Sequence, residues 1–187
     1  MNLQVPAIVC GTQASPDEPS ADSFKLFESS VIVQFIAEQY PDSSLLPRDP
    51  KQRAKARLLA TLFEIQVLRG CYGAMSSKGG IEGFAPVFAV LDTIQSLLPD
   101  SGARYAISDD FTIADVAMAP YLGARLDVVL KNDIGKFQKG TGLKAYEIYQ
   151  SPKYEKLRNY ANRLKERQSV KETALAEVCV ISHSPER

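Results

Sequence analysis

The chain has 187 residues, enough to bury an ordinary core as one domain or two small ones. Lys+Arg and Asp+Glu number 22 each, so the formal net charge is zero and the total offers no pull toward nucleic acid or an anionic membrane. Apolar content of 45% is that of a globular protein, and no uninterrupted apolar run is long enough to span a bilayer.

The first residues, Met-Asn-Leu-Gln-Val-Pro, lack the basic and apolar regions of a signal peptide, so a soluble cytoplasmic protein is the expectation. Cys10, Cys71 and Cys179 are an odd number without paired spacing and are read as free thiols, neither a disulfide framework nor a zinc signature. The only histidine, His183, lies in the C-terminal tail. Catalysis by Ser-His-Asp or Cys-His and multi-histidine metal sites are therefore not expected, and no metal is assigned.

In chain order, a strand around Val5 to Val9 ends near Cys10, and Gly11 to Ser23 is a surface loop longer than a tight hairpin. Phe24 to Phe27 is a second short strand, placed to lie antiparallel to the first. Ser29 or Ser30 can cap a following helix whose apolar residues Val31, Ile32, Phe35 and Ile36 recur at helical spacing, and Tyr40-Pro41 closes the unit. A strand that runs straight into a helix N-terminus presents free backbone N–H groups and the positive end of the dipole, which favour a carboxylate or phosphate. Glu28, just outside the helix, adds an acceptor for an ammonium group. Together they suit the α-carboxylate and α-amine of an amino acid.

The combination of Gln4-Val5-Pro6-Ala7-Ile8-Val9, then Leu26-Phe27-Glu28-Ser29, then Val31-Ile32 and Tyr40-Pro41 resembles the second half of the thioredoxin-like domain of glutathione transferases. The resemblance implies that Pro6 is a cis-proline, that Val5 supplies main-chain hydrogen bonds to the cysteinyl part of glutathione, and that Glu28 and Ser29 hold its γ-glutamyl end. Gln4 falls near the position of the glycyl carboxylate. The chain begins almost on the Val-Pro element, so the family's preceding strand, helix and strand are not in it. Nor is the N-terminal Tyr, Ser or Cys that stabilises the glutathione thiolate. The edge of the first strand is then expected to be open, covered by another chain or a neighbouring segment, or the chain is a shortened form of a longer protein.

Pro41 to Pro50 reads as an inter-domain linker, after which the chain turns helical. A helix is predicted from Lys51 to about Met75 with Ala54, Leu58, Leu62, Ile65 and Leu68 on its buried face, and Lys51, Arg53, Lys55 and Arg57 in its first turns. A second covers Glu82 to Leu98, with Phe84, Val87, Phe88, Leu91, Ile94 and Leu98 as its stripe and Pro86 in its first turn. In Phe111-Thr112-Ile113-Ala114-Asp115-Val116, Thr112 and Asp115 can form a capping box with Asp in the usual Glu/Gln role, flanked by Phe111 and Val116 as a hydrophobic staple. It resembles the N-capping box of the helical domain of glutathione transferases, a folding element rather than a chemical one.

Pro120 is predicted to kink that helix. Gly135 to Gly142 lacks the spacing of a phosphate loop and reads as a solvated inter-helix loop. Pro152 to about Gln168 is a last helix with Tyr154, Leu157, Tyr160, Ala161 and Leu164 on one side. Residues 174–187 form a tail. The expected fold is thus α/β plus all-α: a partial thioredoxin-like, glutathione-binding domain over 1–41, a linker over 42–50, and a glutathione-transferase-type helical bundle over 51–173.

The resemblance implies glutathione as cosubstrate, a small-molecule electrophile as the second substrate, and a homodimer. The activity it implies is conjugation of glutathione or a glutathione-dependent isomerisation; the alternative is a non-catalytic binding or assembly module of the same fold. Catalysis requires the thiolate, since the thiol is a poor nucleophile. Cys71 and Tyr72 lie on the helix that borders the electrophile pocket in the family. They are read as a buried thiol and a packed aromatic, and no catalytic residue is assigned.

Overall fold

The computed structural model describes residues 6–10, 23–100 and 102–173. Gln4, Val5 and the Val5-Pro6 bond, most of the predicted surface loop, and the tail with Cys179 and His183 lie outside them. The described residues are mostly helical, with one two-stranded sheet near their start. Strands β1 (Ala7–Cys10) and β2 (Phe24–Phe27) pair antiparallel with Ile8 opposite Leu26 and Cys10 opposite Phe24. Helix α1 (Ser29–Gln39) covers the face that carries Ile8 and Leu26, and Phe24 packs on Phe35 with ring centroids 5.7 Å apart. Val9 and Phe27 remain exposed on the other face. An isolated hairpin is marginal in water, so α1 supplies the apolar contact that the pair needs.

A 3-10 turn over Pro41–Ser43 leads to α2 (Pro50–Leu62), capped by Asp49, whose carboxylate accepts from the Gln52 N–H at 2.8 Å. The helix passes through a π segment, Phe63–Leu68, into α3 (Arg69–Ser76). Its buried face is Ala56, Leu59, Phe63, Val67, Cys71 and Ala74. Of the stripe predicted from Ala54, Leu58, Leu62, Ile65 and Leu68, Leu58 and Ile65 turn away from the core, 47% and 51% exposed, while Leu68 is partly buried against it. In the regular turns of α2 the core already takes Ala56 and Leu59 rather than Leu58, and the wider π turn carries that face onward. It lets Leu59, Phe63, Val67 and Cys71, at uniform spacing of four, stay on one side, where a regular 3.6-residue helix would drift.

A 3-10 turn at Ile81–Phe84 precedes α4 (Ala85–Leu97), which has Pro86 in its first turn. It buries Phe84, Val87, Leu91, Ile94 and Leu98, the stripe expected, with Phe88 partly buried beside it. Helix α5 (Ile113–Pro120) crosses the centre and packs on α1, α2 and α8. Pro120 has no N–H to donate, and instead of a simple kink the helix widens into a second π segment, Tyr121–Arg125, before α6 (Leu126–Lys131). At its end the Leu126 N–H reaches the Tyr121 carbonyl five residues back.

Helix α7 (Thr141–Gln150) is not among the predicted helices; its apolar residues are few and Gly142 stands in its first turn. The loop before it is tied down rather than freely solvated. Lys136 N–H donates to the Met75 carbonyl at 2.6 Å and Gln138 N–H to the Gly79 carbonyl at 3.0 Å. A 3-10 turn at Pro152–Tyr154 opens α8 (Glu155–Glu166), which buries Leu157, Tyr160, Ala161 and Leu164 as predicted. Each fully buried Leu or Phe of this core contributes about 1.5–3 kcal/mol by leaving water.

Candidate functional site

The chain leaves β2 and enters α1 through Glu28, whose backbone is left-handed at φ 73 and ψ 114. A non-glycine residue held there costs about 1–3 kcal/mol, and such strain concentrates at ligand sites. No side chain caps α1, so Ser29 is not the N-cap expected but the first residue of the helix itself. Its N–H and that of Ser30 stay open at the positive end of the dipole.

This turn forms one wall of a cavity of about 680 Å³. Glu28, Ser29, Ser30, Val33 and Gln34 contribute from the α1 side. Thr61, Glu64, Ile65, Leu68, Arg69 and Tyr72 come from the α2–α3 helix, and Ile113, Val116, Ala117, Pro120, Tyr121 and Arg125 from α5 and its π segment. The walls between are apolar. One end carries Glu28 and Glu64: partial burial raises the Glu64 carboxyl above its usual range, a Ser30 hydrogen bond opposes that, and the Glu28 charge reinforces it. Elsewhere the lining carries Arg69 and Arg125, with the Arg125 guanidinium 5.9 Å from the centroid of the Tyr72 ring.

The two π segments explain why periodicity in the sequence does not reveal this wall. Ile65, predicted for the core, lines the cavity instead, and so does Leu68. Tyr72, read as a packed aromatic, is 47% exposed and faces the same space. Cys71 points the other way. It is 1% exposed, and burial pushes its thiol up to about 11 against a hydrogen bond with Tyr121 that lowers it. At neutral pH it is a protonated, inaccessible thiol, unsuited to nucleophilic work. Among the remaining expected residues, Glu28 and Ser29 meet at the cavity, whereas Pro6 is exposed and is not one of its walls. Glu64, Arg69, Tyr121 and Arg125 are lining residues that no sequence motif singles out. The uniform four-residue spacing from Leu59 to Cys71 is the signal that could expose those on the α2–α3 wall.

Beneath the cavity, the Thr112–Asp115 capping box is present in both arms, with the Thr112 N–H donating to Asp115 Oδ2 at 2.8 Å. It also does more than cap. The Thr112 hydroxyl donates to the same oxygen at 2.9 Å, while Asp115 Oδ1 accepts from the Ala106 N–H at 2.9 Å and the Tyr160 hydroxyl at 2.8 Å. The box thereby anchors the first turn of α5, from which Ile113, Val116 and Ala117 form the cavity floor. Among the described residues, no group of three or more His, Cys, Asp or Glu is placed to hold a metal ion, and no helix is long and apolar enough to cross a membrane.

Residues 53–163 match the family model of the glutathione S-transferase C-terminal domain. The chain belongs to the glutathione S-transferase family. Its structure is similar to that of glutathione transferase Omega 1C from Trametes versicolor, with a TM-score of 0.78 and 32% identity, covering 98% of this chain and 78% of that one. In sequence it is 33% identical over 111 residues to the probable maleylacetoacetate isomerase of Caenorhabditis elegans, 54% of this chain and 51% of the relative. It is also 36% identical over 104 residues to a stringent starvation protein A homolog of Coxiella burnetii, 52% of this chain and 46% of the relative. The chain thus spans about half the length of the curated relatives it matches. In this chain the helical part is preceded by a partial thioredoxin-like portion, the β1–β2–α1 unit.

Proposed function

We propose that this glutathione S-transferase family member binds glutathione at the Glu28–Ser29 turn and presents its thiol to a small electrophile held in the adjoining cavity, for conjugation or glutathione-dependent isomerisation. The observation that carries the reading is the strained, uncapped start of α1 opening directly onto that cavity. The open N–H groups and the Ser29 hydroxyl bind the γ-glutamyl carboxylate, and Glu28 accepts from its ammonium group. Val5 and Pro6 align the cysteinyl backbone, and Gln4 meets the glycyl carboxylate. Residues 1–41 then act as the glutathione-binding portion and residues 51–173 as the electrophile-binding portion. In conjugation, the thiol proton leaves and the sulfur pair forms a bond to the electrophilic carbon as the leaving group departs. In isomerisation, sulfur adds to a conjugated double bond, the new single bond rotates, and elimination restores the thiol. Names of relatives with both activities support this pairing. The protein is a cytoplasmic homodimer in this reading.

The deciding experiment is a calorimetric titration of reduced glutathione into the chain, with Ser29→Ala in parallel. Binding between about 1 μM and a few mM that weakens at least tenfold in the variant is expected. Absence of binding, or equal binding by the variant, overturns the site and favours the non-catalytic module.

A further inference from the structure

Arg69 and Arg125 reach the same cavity from two different helices, and each stands at a π segment. Arg69 directly follows Phe63–Leu68, and Arg125 ends Tyr121–Arg125. A π turn inserts residues into the helical register and re-aims the side chains after it, and such turns collect at functional sites. Two of them converge here on the same side-chain type. Arg48 and Arg57 lie within 4.0 Å of a carboxylate, but among the described residues neither Arg69 nor Arg125 has an ion pair. The Arg125 guanidinium lies 5.9 Å from the Tyr72 ring centroid, a contact that leaves its charge without a carboxylate partner. Ile65, Leu68 and Val116 provide an apolar surface in the same space. Glu28 and Glu64, the acidic residues of the lining, stand at the α1 end.

We propose that Arg69 and Arg125 form a carboxylate clamp, so that the cavity takes electrophiles that carry a carboxylate on an apolar body. That the ligand is an electrophile rests on the glutathione-transferase reading of the cavity, but the anion preference is a property of the empty site and is testable without glutathione. The guanidinium fork matches a carboxylate in charge and geometry, which a neutral amide of the same shape cannot reproduce. The acid end fixes which way round the ligand enters, with its carboxylate at the arginines and its far end toward Ser29 and Ser30.

The test compares 4-nitrobenzoate with 4-nitrobenzamide by calorimetric titration into the full chain at low ionic strength, without glutathione. The carboxylate is expected to bind about tenfold more tightly than the amide. That preference disappears in Arg69→Gln/Arg125→Gln. Equal affinity for the two probes, no binding of either, or a preference unchanged in the double variant overturns the clamp. Thermal melts check the fold, and if the double variant does not fold, each single variant must lower the preference at least threefold or the proposal falls. Glutathione titrated into the same samples separates the two readings. Glutathione binding with no carboxylate preference removes the clamp alone, and a carboxylate preference without glutathione binding removes the transferase reading alone.

Discussion

Asp115 shows how far one side chain's role exceeds its local motif. As a capping residue it would contribute about 1 kcal/mol. In the folded chain it is fully buried and accepts four hydrogen bonds, two from Thr112 and one each from Ala106 and Tyr160. Burial pushes its carboxyl above the usual range while those donors pull it down. Asp115→Ala would strand a buried N–H on Ala106 and a buried hydroxyl on Tyr160, each of which costs about 1–3 kcal/mol when unpaired. We expect a loss of about 3 kcal/mol or more in urea denaturation, against about 1 kcal/mol for Tyr160→Phe, which removes one donor and leaves the others. A loss near 1 kcal/mol for Asp115→Ala would show that the hub acts only as a cap. The box itself is legible in the sequence because Thr112 and Asp115 are three residues apart. The Tyr160 bond is not, since its partner comes from a helix 45 residues on.

At the scale of elements, periodicity locates most helices but does not choose between two apolar faces of one helix. The α2–α3 helix carries apolar residues on two sides. One side, Ala56 to Ala74, enters the core; Ile65 and Tyr72 on the other line the cavity. Composition alone does not rank two apolar faces; packing partners do. Helix α7 escapes a periodicity search because its start depends on a contact rather than a pattern. Asp133 accepts from the Gly140 N–H at 2.6 Å and the Gly142 N–H at 2.7 Å, a cap delivered from the preceding loop. A Cβ on Gly142 would lie 2.8 Å from Asp133 Oδ1 and 3.0 Å from both Asp133 Cα and the Leu130 carbonyl oxygen. Backbone cannot yield as a flexible side chain does, so Gly142→Ala should destabilise by about 1–3 kcal/mol. Gly73, in α3, has open space where an alanine methyl would stand, with nothing within 4 Å, and Gly73→Ala should stabilise by about 0.5–1 kcal/mol through helix propensity. Chemical denaturation of the two variants side by side tests the contrast, and the same sign for both would sink it.

For the molecule as a whole, among the described residues the sheet has one face under α1, while Val9 and Phe27 on the other are exposed. Exposed apolar sheet surface favours pairing with a second chain, which is the physical support for the proposed homodimer. Light scattering at micromolar concentration should return twice the 20.6 kDa chain mass, and a single chain mass would refute the dimer.

What the sequence determined by itself was the family architecture: an antiparallel strand pair into α1, a proline-rich connection, and a helical bundle centred on a capped α5. Each of those signals is local, a turn, a cap or an apolar period within a dozen residues, so it survives without knowledge of neighbours. Only the tertiary structure decided the cavity and its polarity. Its acid end joins residues of α1 to Glu64, and its arginines come from helices more than fifty residues apart, aimed by two π turns whose widening depends on how the helices pack. Long-range convergence of that kind is set by packing of the whole core, which no short stretch of chain encodes.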